Sequence, residues 1–380
     1  MNHTSRIIST YSADVFGVCS ALFELGGMVI MHDASGCNST YTTHDEPRWY
    51  DMESMVYISA LSEMEAILGD DEKLISDICA AAGDLNPRFI AVAGTPIPAM
   101  TGFDFDAAAE LIEQRTGIPA FGFPTTGMNT YVHGAGMALE AIARRFTDKS
   151  IGKTTELSAN ILGLTPLDFS VNGTDGAIAQ FLEDAGYRVL SRWAMGSTLE
   201  ELARAGGAHV NLVVSASGLR AARALQELFG TPYVIGIPIG SSCAALLRDA
   251  LTEAVRSGKN QFPCSKLAGE EILIIGEAVA SLSLASALEY ACGKGAAVLC
   301  PTECEPGLLR SKDLLLQSEE QIRQAMSQAK LVIADPLFQP ICPPGVRFVK
   351  LPAESFSGRL YRKDIPNLVS EFQTFFREVF

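Results

Sequence analysis

The chain has 380 residues, a formal charge of −15 and nine cysteines, with 48% hydrophobic and 19% charged residues. That is material for about two or three units of roughly 150 residues, in an ordered chain with much buried surface. So negative a chain repels a phosphate backbone, and basic pairs such as Arg144 and Arg145 are isolated, so no nucleic-acid partner is expected.

Residues 1–11 lack a basic stretch followed by an apolar core, so no signal peptide is expected. Two apolar stretches follow, at 15–31 and 272–292. Glu24 interrupts the first and Glu277 and Glu289 the second, which argues against a membrane span. An odd cysteine count without an export signal points to the cytoplasm, with thiols serving as packing residues or metal ligands.

In chain order, a helix-like segment at 15–25 carries Cys19. A strand at 28–32 then leads into a loop holding Gly36 and Cys37. From there one pattern recurs: a short apolar run, a small-residue loop, an amphipathic helix, and another apolar run. It is read at 88–94, 106–115 and 118–123, then at 160–164, 176–185 and 187–190. It returns at 210–215, 219–229 and 233–239, and again at 272–275, 281–292 and 296–300, with a later strand at 331–334. Segment 365–380 spaces Leu368, Phe372, Phe375 and Phe376 as a helix that would lie across a neighbouring lobe.

Continuous apolar strands alternating with helices imply right-handed crossovers in mainly parallel sheets. Charge, Gly and Lys break the pattern at 148–156 and 257–270. The expected fold is α/β, with three Rossmann-like lobes of mainly parallel sheet around a central cleft. The lobes are an N-terminal one at 1–150, a middle one at 151–262 and a C-terminal one with the closing helix at 263–380.

In such folds ligands sit beyond the carboxyl ends of the strands. The candidate loops are 94–101, 125–133, 215–218, 276–281 and 335–342, whose Ser, Thr and Gly suit a polar ligand and equally suit tight turns. The turn GEAVAS is not a dinucleotide fingerprint, and no phosphate-binding loop, C-x-x-C, H-E-x-x-H or G-x-S-x-G occurs.

Cys19 and Cys37, each near glycine, could share one exposed edge and hold a bulky metal cluster, or could simply be packing residues. Cys79, Cys243 and Cys292 read as core, and Cys264 as linker. Cys300, Cys304 and Cys342 follow strands, where a thiolate metal site is open. His44, His133 and Asp33 are candidate proton carriers, with hydrogen-bonded structural roles as the alternative.

The ordered segments GVCSALFELGG, HDASGC, LSEMEAILGDDEKL, RFIAVAG and GIPAFGFPTTG resemble the component 1 family of nitrogenase. That family includes dark-operative protochlorophyllide reductase and nickel-sirohydrochlorin diamide reductase. VNLVVSASGLRAARALQELFGTPYV and SFSGRLYRKDIPNLVSEF extend the likeness over nearly the whole chain.

The resemblance implies that Cys19 and Cys37 are cluster ligands, with Gly36 giving the cluster room, and that the first lobe carries a subunit interface. The family's third ligand cysteine falls near Thr95 and Pro96 and is missing. Two thiolates from each of two subunits would then hold one [4Fe–4S] cluster in a homodimer, or in a heterodimer with a similar subunit. The anchors of the iron–molybdenum cofactor are absent too, their places falling near Ser215 and Pro352, so no such cofactor is expected.

The expected function is an iron–sulfur oxidoreductase taking electrons from an ATP-dependent iron protein. It would reduce a small molecule other than dinitrogen, a tetrapyrrole among the candidates, with His44, His133 or Asp33 supplying protons. The alternative is a scaffold that holds a metal cofactor or metal chelate without turnover.

Overall fold

A computed structural model describes residues 5–34, 36, 38–264, 267–305 and 307–380. Thirteen strands among them form three sheets in which every pairing is parallel. The first contains β1 (Met28–Met31), β2 (Met55–Ile58), β3 (Ile90–Ala93) and β4 (Ala120–Phe123), in the order β2-β1-β3-β4. The second contains β5 (Ser158–Leu162), β6 (Arg188–Arg192), β7 (Val210–Val213) and β8 (Tyr233–Ile235), in the order β6-β5-β7-β8. The third contains β9 (Ile272–Ile275), β10 (Ala297–Cys300), β11 (Leu314–Leu315), β12 (Leu331–Ala334) and β13 (Arg347–Lys350), in the order β11-β10-β9-β12-β13.

The central strands MVIM, IAVA, ILII and LVIA are buried along their whole length, because helices cover both faces of each sheet. β5 and β7 carry buried Asn160 and Asn211, and the polar groups find each other. Asn160 Nδ2 donates to Asn211 Oδ1 at 2.8 Å, and Ser191 Oγ donates to Asn160 Oδ1 at 2.7 Å.

Two glycines set the closest helix crossing. A methyl group on Gly17 would fall 2.0 Å from the Tyr131 carbonyl oxygen, and one on Gly134 would fall 1.9 Å from that of Asp14. Helices Asp14–Leu22 and Tyr131–Phe146 therefore pack backbone against backbone. Asp14 also accepts from Thr126 N at 3.0 Å and Gly127 N at 2.8 Å, pinning the loop after β4 to the same crossing.

The three sheets are tied together by particular bonds. Arg48 donates to Ala194 O in the second lobe at 2.7 Å, and Glu24 accepts from Gly196 N at 2.6 Å. Glu303 accepts from Thr130 N at 2.7 Å, and Glu305 pairs with Arg223. Residues 5–12 run along the third lobe: Glu319 accepts from Arg6 N at 2.7 Å, and Phe356 O accepts from Thr10 N at 2.8 Å. Helix Leu368–Val379 packs on helices Thr174–Asp184 and Gly240–Ser257. Among the described residues no helix is long and apolar enough to cross a membrane.

Candidate functional site

Two regions carry the chemistry. The first surrounds Cys19, on the helix Asp14–Leu22 that packs so closely on Tyr131–Phe146. The sequence leaves Cys19 either at an exposed edge or packed inside, and its exposure is 0%. Tyr41, in a π-helical turn at Tyr41–Asp45, lies close to it.

Tyr41 packs its ring against Tyr11 at 5.0 Å and Phe16 at 5.1 Å, and Tyr11 donates to Asp45. Burial, then the Glu46 charge, push the Cys19 thiol well above its ordinary value. Glu46 is itself held by Arg48, whose Nε donates to Oε1 at 2.7 Å. Arg48 also pairs with Glu24 at 2.9 Å and lies over the Phe23 ring at 4.7 Å.

Around Cys19 the Ser20 and Tyr41 hydroxyls are buried, close to each other but without the geometry of a hydrogen bond. Orphaned buried hydroxyls beside a thiol, under a π-helical turn, fit a group bound there. Cationic iron would offset both the burial and the Glu46 charge that oppose the thiolate. Cys37 lies outside the described residues. Gly36 is exposed in a turn. Cys19, Cys79, Cys243, Cys292, Cys300, Cys304 and Cys342 are free of disulfides, and no group of three or more metal-ligating side chains occurs among the described residues. Of the cysteines read as core, Cys243 is buried, while Cys79 and Cys292 are only half-buried.

The three candidate proton carriers lie apart in the first lobe. Asp33 is buried and accepts from Asn38 Nδ2 at 2.6 Å and from Thr95 Oγ1 at 3.0 Å, so the residue standing where a third cysteine was sought holds Asp33 instead. His44 sits 3.6 Å from Asp45, and His133 is half-buried in the first turn of Tyr131–Phe146. None of them lines the cavity between the lobes.

That cavity is the second region, a space of about 100 Å³ where all three lobes meet. Its walls come from beyond the carboxyl ends of β5, β8, β9 and β12, with Tyr131 from the first lobe. Candidate loops 276–281, 335–342 and 125–133 contribute lining residues. Loop 215–218 supports the wall from behind, and loop 94–101 does not line it. Among the described residues the lining holds three acids, Asp168, Glu277 and Asp335, and no Lys, Arg or His.

Asp168 accepts from Thr165 Oγ1 at 2.9 Å, from Ser215 Oγ at 2.8 Å and from the Tyr131 phenol. Glu277 caps the helix Ala278–Cys292, accepting from Ala280 N at 2.9 Å, and reaches the second lobe through Ala216 N at 2.9 Å. Asp335 accepts from Leu337 N and Ala353 N, both at 2.8 Å, and from Ser357 Oγ at 2.9 Å. Burial raises all three carboxyls above the usual range, and for Glu277 the Asp168 charge adds to it. Sequence reasoning missed Asp168 altogether and quoted Glu277 only as a charge interrupting an apolar stretch and as part of a turn. The one available signal was an acid directly after a buried strand, at a helix start.

The fold belongs to a known class. Residues 14–262 match the model of the nitrogenase component 1 type oxidoreductases, and the chain belongs to that family. A nitrogenase structure, Cp1 at pH 6.5, superposes with a TM-score of 0.70 at 17% identity, covering 100% of this chain and 94% of that one, which shows the shared fold. The chain is 25% identical over 186 residues to the nitrogenase iron-molybdenum cofactor biosynthesis protein NifE of a Nostoc species, covering 47% of this chain and 37% of that protein. It is 35% identical over 99 residues to a subunit of the light-independent protochlorophyllide reductase of Nostoc punctiforme, covering 26% and 20%. With the nitrogenase molybdenum-iron protein alpha chain of Clostridium pasteurianum it shares 23% over 230 residues, covering 60% and 41%. The matches thus span less than half the length of these curated relatives.

Proposed function

We propose that this chain is a nitrogenase-like reductase component. It takes single electrons from an ATP-dependent iron protein and reduces a small molecule other than dinitrogen in the interlobe cavity. Cys19 and Cys37, with the same pair from a second subunit, would hold a [4Fe–4S] cluster, in a homodimer or with a similar partner chain. When bound, that cluster supplies one-electron transfer.

The observation that carries the reading is the orphaned pair of buried hydroxyls, Ser20 and Tyr41, beside the Cys19 thiol. The chain's own part is to bind and orient. Glu46 and Arg48 brace the thiol's surroundings, and Tyr131 and Phe356 help line the cavity. Three acids and no base among the described residues of its wall select against a substrate with many carboxylates. A tetrapyrrole with few free carboxylates meets that condition once the lobes part to admit it. Protons then come from groups on the cavity wall, or by relay from His44, His133 or Asp33.

The test is anaerobic reconstitution of the full chain. About four irons per pair of chains are expected, with loss of iron in Cys19→Ala and Cys37→Ala. No iron in the wild type, or the same iron in both variants, overturns the cluster. Reduced iron protein with ATP should then oxidise against this chain and drive product formation.

The NifE relatives favour a second reading, a scaffold for a metal cofactor or metal chelate. Binding of the iron protein with no turnover would decide for it.

A further inference from the structure

On the reductase reading, on which this inference rests, the cavity holds more than a place for a ligand. Its two facing carboxyls are set differently. Asp168 takes three hydroxyl donors, from Tyr131, Thr165 and Ser215, which is a setting for an anion. Glu277 takes backbone N–H groups, from Ala216, Ala280 and Val279, and has no side-chain donor or cation against it among the described residues.

Ser355 supplies an independent sign that something binds here. It is 0% exposed on the cavity wall, and its hydroxyl stands near the Tyr131 phenol without the geometry of a hydrogen bond. A buried hydroxyl left over in an otherwise satisfied wall is placed to bond an occupant.

We propose that Glu277 is the general acid of this cavity, giving its proton to the substrate atom that receives electrons, with Asp168 as a positioning anion. Each two-electron reduction consumes two electrons from the reduced iron protein and two protons. The Glu277 O–H bond breaks as the new bond to hydrogen forms on the substrate. The carboxylate regains a proton from water and delivers the second in the same way.

The titratable groups facing Glu277 favour a held proton, and outweigh the N–H groups of Ala280, Ala216 and Val279, which favour the ionised form. Those titratable groups are Asp168 after β5, the Tyr131 phenol, Cys304 after β10 and Asp335 after β12, with no cation among them. Burial, then the Asp168 charge, raise the Glu277 carboxyl to about 8. Two like charges this close cannot both form cheaply, and the three hydroxyls assign the charge to Asp168.

Infrared difference spectra of the full chain, titrated from about pH 5 to about pH 10, test the acid without substrate or donor. One protonated-carboxyl band should vanish around pH 8 and be missing from Glu277→Gln, while Asp168→Asn should move it to lower pH. Under turnover, Glu277→Gln should lower the rate by about 100-fold or more with electron uptake unchanged, and should lose the fall in rate above about pH 8.

A Glu277 carboxyl already ionised at neutral pH overturns the proposal. So does a Glu277→Gln chain that keeps the wild-type rate and pH profile. If Glu277→Gln does not fold, Asp168→Asn carries the test, since an unmoved carboxyl band there is equally fatal. A wild-type chain that takes up no electrons sinks the reductase reading instead, which keeps the two failures distinct.

Discussion

Replacing Arg48 with Met keeps most of the side chain's volume and removes its charge, which isolates one interaction network. In the folded chain the guanidinium donates to Glu46 at 2.7 Å, to Glu24 at 2.9 Å, to Ser20 O at 2.9 Å and to Ala194 O at 2.7 Å. Its side chain is 3% exposed, and its partners Glu24 and Glu46 are 9% and 0% exposed.

Removing one partner from a buried pair costs about 3–5 kcal/mol, because the charge left behind has no compensation. The two carbonyl bonds add about 0.5–1.5 kcal/mol each, though neighbouring effects do not sum fully. The expected loss is about 4 kcal/mol, much of the roughly 5–15 kcal/mol that a domain has in total. Urea unfolding followed by tryptophan fluorescence reads it as a lowered midpoint at unchanged slope. Trp193 lies beside Ala194 and reports on the same seam. The double variant Arg48→Met with Glu46→Gln should recover part of the loss. A single variant within about 1 kcal/mol of wild type would refute the idea that this cation holds the two lobes together.

Other outcomes rest on the same geometry. Gly134→Ala should lower the melting temperature by several degrees, as a methyl group 1.9 Å from the Asp14 carbonyl forces the helices apart at a cost of about 1–3 kcal/mol or more. Burial lowers His32 to about 4, against the pull of Asp33 and Glu65, so the unfolded chain holds that proton more tightly. Its contribution to stability is present above about pH 6.5 and lost as pH falls toward 4, a slope that denaturation midpoints should show and His32→Gln should flatten. Glu277 runs the other way, its contribution being full below about pH 4.5 and lost as pH rises through about 8. Native-state alkylation read by mass spectrometry should leave Cys19 and Cys243 unmodified until the chain unfolds.

The three-sheet architecture was legible because its central strands are buried on both faces and so read as unbroken apolar runs. Three edge strands, β2, β11 and β13, escaped for the opposite reason. In β2 and β13 only one residue of four is buried, and β11 is two exposed leucines. The family was legible from Cys19, Cys37 and the order of the segments around them. The burial of Cys19 was not, since it depends on Gly17 meeting Tyr131 more than one hundred positions away. Asp168 and Glu277 likewise mean little singly, and their chemistry arises from sharing a desolvated space that only the folded lobes create.

The bonds between residues 5–12 and the third lobe bear on how a newly made chain matures. Tyr11, which closes over Tyr41 and so over Cys19, is seated by Ser355 O, which accepts from its N–H at 3.1 Å. A ribosome releases Tyr11 long before Ser355 emerges, while the first lobe is already folding. Throughout that interval the lid over the thiol lacks its anchor. The Cys19 thiol is therefore most open during translation, and that access ends when the last lobe docks.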